Sequence, residues 1–454
     1  MKVLFVNPYI CDFTAYDMWL RPLGLYYLAA AVRRYSDAEI FWLDALDRFQ
    51  DGLEIRGRAD GRGKYPREFV EKPWIYQDVP RNYSRYGMPL ELFMGKIAAL
   101  PEMDVVLVTS LMTYWLEGLQ FTLKILKQRF PRAKVVLGGV LPSLAPAEAR
   151  ALLPADHYVD GYGETAVLRL LGDLGARVSF TPGFGDNIEF PLPAVDLAGT
   201  QRYVPLLTAR GCPLRCSYCA SRLLNPVFWE RRPPDILAEI EQRRRVFNSG
   251  HFIVFDDALL VNKEERFLPV FSRLAREGKP PMRFHTPNGL HAREIDRESA
   301  AVLHGAGFVT LRLGFESLAT GILRRSDGKV KRKQMENAVS NLERAGYRRG
   351  QLGAYLLFGY PGQDLADMEM ALAFVEDLGL VPHLSVFSPV PGTTDFFELQ
   401  RQGVLATPLN LLETNKIYFL YRKSGFSGEE ILQVKERAAA ISNANLESAG
   451  GDPF

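Results

Sequence analysis

Apolar runs bounded by charged or helix-breaking residues divide the first 175 residues into alternating strands and helices. Runs with the character of buried strands lie at residues 2–7, 39–43, 104–109, 134–137 and 157–159. Helical periodicity occupies residues 23–35 and recurs after Leu116. Strands separated by helices predict a parallel sheet with right-handed crossovers, because that connection packs each helix back onto the sheet. We therefore expect an α/β domain with a doubly wound sheet over residues 1–175.

This alternation is interrupted by a long insertion near residues 47–100, where Arg, Gly, Pro and Tyr are frequent. Segments of this length without periodicity are usually functional or disordered. The aromatic content favours an ordered cover, and the residues concerned are Tyr65, Trp74, Tyr76, Tyr83 and Tyr86.

A second domain follows a linker over residues 176–200, where Gly and Pro are dense. Six apolar runs recur at residues 203–209, 252–255, 282–285, 309–314, 353–358 and 384–387, with helical stretches between them. Six strand–helix units predict a partial (β/α)6 barrel of the TIM type over residues 201–395. The remaining residues, 396–454, read as a helical C-terminal region, and Ser427 with Glu430 forms a capping box at the start of its last helix.

Composition and charge are those of a soluble globular protein. Hydrophobic residues make up 47% and charged residues 24% of the 454, and the net charge of +2 argues against specific nucleic-acid binding. The longest apolar stretch, residues 23–32, is too short for a membrane span, and the N-terminus lacks the pattern of a signal peptide. Four cysteines exclude a disulfide scaffold, so we expect a cytoplasmic protein.

Three of the four cysteines, Cys212, Cys216 and Cys219, lie within eight positions. Thiolates are soft ligands that suit zinc or iron–sulfur clusters, and structural zinc requires four protein ligands, usually as two pairs. No second pair follows here, whereas a [4Fe–4S] cluster held by three thiolates leaves one iron open to a small molecule. A zinc knuckle and buried thiols are the alternatives.

The C-x3-C-x2-C spacing, with Arg210 and Gly211 before it and Tyr218 before the last cysteine, resembles the signature of the radical S-adenosylmethionine (SAM) superfamily. The resemblance implies that Cys212, Cys216 and Cys219 are the cluster ligands and that the open iron binds SAM. It also implies reductive cleavage of SAM to a 5′-deoxyadenosyl radical, with an electron donor such as flavodoxin or ferredoxin.

The same resemblance assigns SAM-binding roles to residues at the carboxyl ends of the barrel strands, where catalytic groups of such barrels lie. The expected cofactor-binding residues are Tyr218, Asp256, Asp257, Asn288, Arg293, Glu316, Ser317, Gly359 and Ser388. Plainer alternatives are a helix cap for the carboxylates Asp256, Asp257 and Glu316, and a turn for Gly359. The basic run after the fourth strand, which includes Arg324 and Arg325, is most simply a solvated surface.

The first domain resembles the Rossmann-like (flavodoxin-like) cobalamin-binding domain that precedes many radical SAM barrels. The residues that carry this resemblance are Pro22–Leu25, Thr109–Leu111, Gly138–Gly139 and Gly161–Glu164. It implies that Ser110, Leu111, Gly138 and Gly139 contact cobalamin (B12). The Asp-x-His-x-x-Gly element, whose histidine binds cobalt in many family members, is absent.

The resemblance as a whole implies a cobalamin-dependent methyltransferase acting on a small-molecule substrate. One alternative is a radical SAM enzyme with a cofactor-free first domain and non-methylating chemistry. The other is a non-enzymatic metal- or cobalamin-binding protein.

Overall fold

The computed structural model describes residues 1–54, 57–58, 60–179, 191–199, 202–247, 250–277, 282–328 and 330–448. It divides into two compact units. The first comprises Met1–Arg202 together with Ala406–Glu413, and the second comprises Tyr203–Leu405 together with Thr414–Phe454. About half of the expected linker, residues 180–190 and 200, lies outside the described residues.

The first unit alternates strands and helices along the chain. Its strands are β1 (Lys2–Asn7), β2 (Ile10–Asp12), β3 (Tyr16–Asp17), β4 (Glu39–Asp44), β5 (Gly63–Lys64), β6 (Arg67–Phe69), β7 (Ser84–Tyr86), β8 (Val105–Val108), β9 (Lys134–Leu137) and β10 (His157–Tyr158). Its helices are α1 (Leu23–Tyr35), α2 (Leu90–Ala99), α3 (Leu116–Arg129), α4 (Val140–Leu144), α5 (Pro146–Leu152) and α6 (Gly163–Asp173).

Five of these strands form a parallel sheet in the order β10-β9-β8-β1-β4. Apolar side chains of α1 and α6 pack on one face, and those of α2 and α3 pack on the other. The order changes direction between β1 and β8, which makes their carboxyl ends the switch point where ligands bind in open sheets of this kind. The expected flavodoxin-like fold class is therefore confirmed.

The insertion is ordered where the structure describes it. Strands β2, β7 and β6 form an antiparallel sheet, and β3 pairs with β5. Its rings at positions 65, 76, 83 and 86 are buried, whereas Trp74 is 81% exposed. Sequence periodicity did not reveal α2, which lies within this stretch, because only Phe93 and Ile97 of this ten-residue helix are buried.

The second unit begins with strands β11 (Val204–Leu206), β12 (Ala209–Arg210), β13 (Trp229–Glu230), β14 (His251–Val254), β15 (Arg283–His285), β16 (Leu290–His291), β17 (Phe308–Glu316), β18 (Leu352–Phe358) and β19 (Val381–Val386). Its helices are α7 (Ser221–Leu224), α8 (Pro233–Phe247), α9 (Phe267–Glu277), α10 (Arg297–Gly305), α11 (Thr320–Arg325), α12 (Arg332–Ala345), α13 (Leu365–Asp377), α14 (Thr394–Arg401), α15 (Lys416–Arg422) and α16 (Gly428–Ser448).

Its parallel sheet runs β11-β14-β15-β17-β18-β19, so the main strands follow chain order, and helices come between them. On β17, Leu311, Leu313 and Phe315 belong to the apolar core shared with the helices. Since neighbouring residues of a strand face opposite sides, Arg312 faces the other side of the sheet. These features confirm the expected partial barrel.

The C-terminal region is helical, as expected. Helix α16 begins with the predicted capping box: Glu430 N–H donates to Ser427 Oγ (3.2 Å), and Ser427 N–H donates to a Glu430 carboxylate oxygen (2.8 Å). Among the described residues, no helix combines the length and apolar character required to cross a membrane.

Candidate functional site

The cysteine loop follows the first barrel strand and is closed at its base by a short ladder. Strands β12 and β13 pair antiparallel, Ala209 with Glu230 and Arg210 with Trp229. Gly211 follows with a φ of 84°, a left-handed conformation that favours glycine. Cys212, Cys216 and Cys219 are not disulfide-bonded, and Cys219 is exposed. The loop thus carries all three thiols at the carboxyl end of β11.

The middle of this loop is fixed through main-chain hydrogen bonds. Ser217 N–H donates to the carbonyl oxygen of Arg325 (2.8 Å), and Asp395 N–H donates to the carbonyl oxygen of Ser217 (3.2 Å). Cys216 Sγ lies 3.5 Å from the carbonyl oxygen of Ser326. The segment around Cys216 is therefore held between the end of α11 and the start of α14.

Charged side chains tie these two helix ends to each other. The Arg325 guanidinium donates to Asp395 (2.8 Å) and to Glu398 (2.6 Å), and the Tyr360 hydroxyl donates to the other oxygen of Asp395. Asp395 is 2% exposed. The hydrogen bond to Glu398 is the main cause of the raised pKa of Arg325, whereas burial and then Asp395 raise the pKa of Tyr360. We call Arg325, Asp395, Glu398 and Tyr360 the loop clamp.

A second set of contacts holds Cys219. Ser221 N–H donates to Cys219 Sγ (3.4 Å), and Ser221 Oγ donates to Asp257 (2.5 Å). Asn288 Nδ2 donates to the other oxygen of Asp257 (3.2 Å) and to the carbonyl oxygen of Phe255 (2.9 Å). The loops that follow β11, β14 and β15 are joined in this way.

Two carboxylates predicted for SAM binding differ in setting. Asp256 is buried and accepts a hydrogen bond from Thr208 N–H (2.9 Å), and burial raises its pKa. Glu316 ends β17 with a φ of 71°, an uncommon conformation for a residue with a side chain. Burial, and next the charge of Glu316, raise the pKa of Tyr218, so Glu316 lies near the cysteine loop.

The other predicted SAM-binding residues lie at the expected strand ends. Arg293 is exposed and paired with Glu294 (3.0 Å). Ser317 is buried, and its hydroxyl accepts from Ala319 N–H (3.0 Å). Gly359 has a φ of 74°, and Ser388 Oγ donates to the carbonyl oxygen of Thr414 (2.6 Å).

A chain of hydrogen bonds links the inner face of the sheet to the β15 loop. Arg312, which is 3% exposed, donates to the Tyr355 hydroxyl (3.0 Å), and Tyr355 donates to the carbonyl oxygen of Pro287 (2.6 Å). Asn288 is the next residue, so the contacts that hold Cys219 continue into β17 and β18.

The thiol set fits an iron–sulfur cluster. In the described part of the chain, no three His, Cys, Asp or Glu side chains meet as ligands of a single metal ion. A [4Fe–4S] cluster does not require such convergence, because each thiolate binds a different iron. Three thiols on one loop, with an N–H donor on Cys219, match what such a cluster uses.

In the first unit, the carboxyl ends of β8 and β9 are joined by small residues. Ser110 Oγ donates to the carbonyl oxygen of Gly138 (3.0 Å) and accepts from Leu141 N–H (2.9 Å). Gly139 has φ 93° and ψ −152°, and a Cβ there would lie 2.4 Å from the carbonyl oxygen of Ser110. Leu111 follows Ser110 and is partly exposed. This bare edge fits a large ligand that must approach the backbone closely.

Polar side chains are buried at the neighbouring ends of β1 and β4. Asn7 Nδ2 donates to Asp44 Oδ1 (2.7 Å), which also accepts from Leu46 N–H (2.9 Å). Burial, and next the charge of Asp47, raise the pKa of Asp44 to about 7. Arg21 pairs with Asp47 at 3.1 Å.

Sequence reasoning missed the loop clamp. Arg325 was expected on a solvated surface, yet it pairs with two carboxylates and its carbonyl group holds the cysteine loop. Tyr360 and Asp395 lie 141 and 176 positions beyond Cys219, and no local pattern marks them. The role of Ser221 could have been inferred only from its position, two residues beyond Cys219.

Two family models match the chain. Residues 206–375 match the model described as the radical SAM superfamily, and residues 84–171 match the model described as the B12-binding domain. The first match runs from the last residue of β11 into α13 and includes the cysteine loop, and the second contains Ser110 and Gly139.

Curated relatives carry methyltransferase names. The chain is 26% identical over 436 residues to a hopanoid C-3 methylase of Methylococcus capsulatus. This alignment covers 88% of this chain and 73% of that protein. It is 22% identical over 259 residues to an uncharacterized methyltransferase of Pyrococcus horikoshii, which covers 55% of each. The chain therefore matches about half the length of the Pyrococcus relative.

A solved structure resembles the whole fold. The radical SAM methyltransferase TsrM of Kitasatospora setae, with cobalamin and a [4Fe–4S] cluster bound, aligns with a TM-score of 0.66 at 16% identity, over 97% of this chain and 90% of that one. At this identity the likeness concerns the fold. Taken with the two family matches, it shows that the chain carries a B12-binding domain ahead of a radical SAM domain.

Proposed function

We propose that this protein is a radical SAM enzyme, a cobalamin-dependent methyltransferase that acts on a small molecule. The observation that carries the proposal is the set of three cysteines, none of them disulfide-bonded, on one clamped loop at the carboxyl end of β11. The methylase names of the relatives and the B12-binding match support the methyl-transfer part. When bound, the cluster supplies an electron to SAM, and cobalamin carries the methyl group.

In this proposal the chain's residues have distinct tasks. Cys212, Cys216 and Cys219 hold the cluster. Glu316, at a strand end near Tyr218, contacts the ribose of SAM, and Tyr218 lies beside the adenine. Gly359, Ser388 and Arg293 line the same carboxyl edge, where their backbone or side chains bind the rest of SAM.

Four other predicted residues act as supports in this proposal. Asp257 and Asn288 are hydrogen-bonded to each other and through Ser221 to the Cys219 segment, so they position the loop. Asp256 and Ser317 are buried and bonded within the chain, and they fix the strand ends on which SAM rests.

Cobalamin binding is proposed for the bare edge formed by Ser110, Leu111, Gly138 and Gly139. Glycine at position 139 lets a ligand approach main-chain groups that a side chain would cover. The described part of this unit contains one histidine, His157, which starts the two-residue strand β10 and is partly exposed. We therefore propose that cobalamin is held without an axial histidine from the Asp-x-His-x-x-Gly element.

The test uses full-length protein reconstituted anaerobically with iron and sulfide. We expect about four irons per chain, as a single [4Fe–4S] cluster requires, and formation of 5′-deoxyadenosine on adding SAM and dithionite. Cys216→Ala is expected to lose both. The control is Cys11→Ala, since Cys11 is buried in the first unit. SAM cleavage that persists in Cys216→Ala refutes the cluster assignment.

Cobalamin binding, on which the proposed methyl transfer depends, is tested separately by cobalamin content. Protein produced with added hydroxocobalamin is expected to retain about one corrinoid per chain after gel filtration, read from its visible absorption. Retention of none supports the alternative of a cofactor-free first domain and leaves the cluster assignment standing.

A further inference from the structure

The insertion of the first unit forms a wide cavity to which the proposed function assigns no role. Its volume is about 790 Å³, within the range of small-molecule sites. Its walls come from the loop after β2, from β3, from the loop after β4 and from the strands β5 to β7. Buried rings of Phe13, Tyr65 and Tyr86 contribute rigid apolar surface.

Hydrogen bonds fix these aromatic walls. The Tyr86 hydroxyl donates to the carbonyl oxygen of Phe13 (3.1 Å), and Tyr86 lies on β7, paired with both Ile10 and Arg67. Part of the cavity wall therefore belongs to a small antiparallel sheet.

The charge around the cavity is strongly positive. Arg48, Lys64, Arg67 and Arg81 line it, and among the described lining residues Glu54 is the one carboxylate. Arg48 is buried and engaged with Asp17 at 2.9 Å. Three cations remain against one acid.

These three cations differ from the other arginines of the same region. Arg21, Arg48, Arg62 and Arg85 each have a carboxylate partner, at 3.1, 2.9, 2.6 and 2.5 Å. Across the described residues, by contrast, Lys64, Arg67 and Arg81 form no salt bridge, although the Arg67 guanidinium stacks on Phe69 at 5.2 Å. Cations left unpaired around one concave site favour an anion there.

We propose that this cavity binds a small organic anion, a carboxylate or phosphate attached to a flat, apolar body. Lys64, Arg67 and Arg81 bind the anionic group, and the rings of Phe13, Tyr65 and Tyr86 pack on the body. Two molecules could carry such a group: a separate small molecule, or cobalamin through the phosphate of its nucleotide tail.

The test is a fluorescence titration of full-length protein with 8-anilinonaphthalene-1-sulfonate, a flat ring system that bears one anionic group. We expect saturable binding that weakens with added salt, because exposed charge interactions are screened. The triple variant Lys64→Gln/Arg67→Gln/Arg81→Gln is expected to bind the probe at least tenfold more weakly. The neutral analogue N-phenyl-1-naphthylamine is expected to bind wild type and variant within twofold of each other.

The matched control is Lys124→Gln/Arg132→Gln/Lys134→Gln, which removes three exposed cations of the same unit that lie outside the cavity. It is expected to bind the sulfonate as wild type does. Equal probe affinity in wild type and the cavity variant, or an equal loss in the control, overturns the proposal. Circular dichroism establishes that both variants are folded.

Hydroxocobalamin then distinguishes the two sources. Displacement of the probe in wild type assigns the site to the nucleotide tail, whereas simultaneous binding of probe and cobalamin assigns it to a separate small molecule. Because the readout is binding, failure of this proposal leaves the proposed enzyme activity untouched.

Discussion

The carboxyl edges of the two parallel sheets are built from different kinds of residue. In the first unit, Ser110 joins the ends of β8 and β9 through main-chain groups, and Gly139 leaves the edge without a side chain. In the second unit, the loop clamp joins α11 to α14, and Asp257 with Asn288 joins further loops. One edge is bare, and the other is covered with charged and polar side chains.

The difference agrees with what each edge is proposed to hold. A large preformed ligand is bound by backbone that it can approach closely, so small residues serve there. A loop that carries thiol ligands has many conformations of its own, and fixing it requires directional contacts from several elements. Charge-assisted hydrogen bonds are the strongest such contacts available to side chains.

The largest expected effect comes from placing a side chain on the bare edge. In Gly139→Ala, the new Cβ meets the carbonyl oxygen of Ser110 at 2.4 Å, in a backbone conformation that is essentially restricted to glycine. We expect a loss of more than about 4 kcal/mol in the free energy of unfolding, from strain and overpacking together. Urea denaturation measures it.

Gly24→Ala is the matched control, because a Cβ at position 24 of α1 has no atom within 4 Å. Alanine is the better helix former, so the control is expected to gain up to about 1 kcal/mol. A loss below about 1 kcal/mol in Gly139→Ala contradicts the described edge.

The bare edge was largely predictable, because its signals are local. Ser110 and the Gly138–Gly139 pair each follow directly on an apolar strand, and the carboxyl ends of parallel strands share one edge of a sheet. The bounds of β1, α1 and β9 agree with the periodicity of the sequence for the same reason.

The loop clamp was not predictable, because it depends on contacts between distant elements. Arg325 lies 70 positions from Asp395, and a basic run next to a helix end has the composition of an ordinary surface. The small sheets of the insertion were not predicted for a related reason. Strands β2 and β7 pair across more than 70 residues, and each has three residues, which is too few to show a period in the sequence. Long-range polar pairing leaves no periodic trace in a single sequence.

The second expected effect concerns Asp44, a buried carboxyl group at the end of β4 in the first unit. Its presence shows that an ionisable side chain lies next to the bare edge. Its pKa is raised to about 7 in the folded chain, against about 4 in the unfolded chain. The folded protein therefore keeps a proton that the unfolded chain releases, so stability is full below pH 4 and decreases as the pH rises to about 7. The three-unit difference corresponds to at most about 4 kcal/mol.

Asp44→Asn removes this dependence, because the amide stays neutral and its oxygen still accepts from Asn7 and Leu46. We expect the stability of the variant relative to wild type to rise between pH 4.5 and pH 7.5, measured by urea denaturation of the full chain. A constant difference across that range contradicts the raised pKa.

The third effect tests the covered edge. Asp395→Asn removes the charge that the guanidinium of Arg325 faces in a buried setting, and we expect a loss of about 2–3 kcal/mol. Because the cysteine loop depends on these contacts, the variant is also expected to retain less than half the iron of wild type after anaerobic reconstitution. Iron content and urea denaturation together measure the result.

Two further variants grade this effect. Arg325→Lys keeps one charged contact, and it is expected to retain more iron than Asp395→Asn but less than wild type. Glu398→Gln alters a more exposed partner, with 28% of its side chain accessible against 3% for Asp395, and is expected to cost less than about 1 kcal/mol. Full iron content in Asp395→Asn shows that the loop is held without the clamp.

The smallest expected effects come from removing a single serine hydroxyl at each edge. Ser110→Ala removes two hydrogen bonds to main-chain groups, and because Gly138 is itself partly exposed, water replaces part of the loss. We expect about 1 kcal/mol by urea denaturation, and recovery in Ser110→Thr, which keeps the hydroxyl. In Ser221→Ala the N–H that reaches Cys219 remains and only the link to Asp257 is lost, so iron content is expected to fall much less than in Asp395→Asn. If Ser221→Ala lowers the iron content as Asp395→Asn does, the side-chain link to Asp257 holds the loop as firmly as the clamp, and the support of the cysteines is shared between the two ends of the loop.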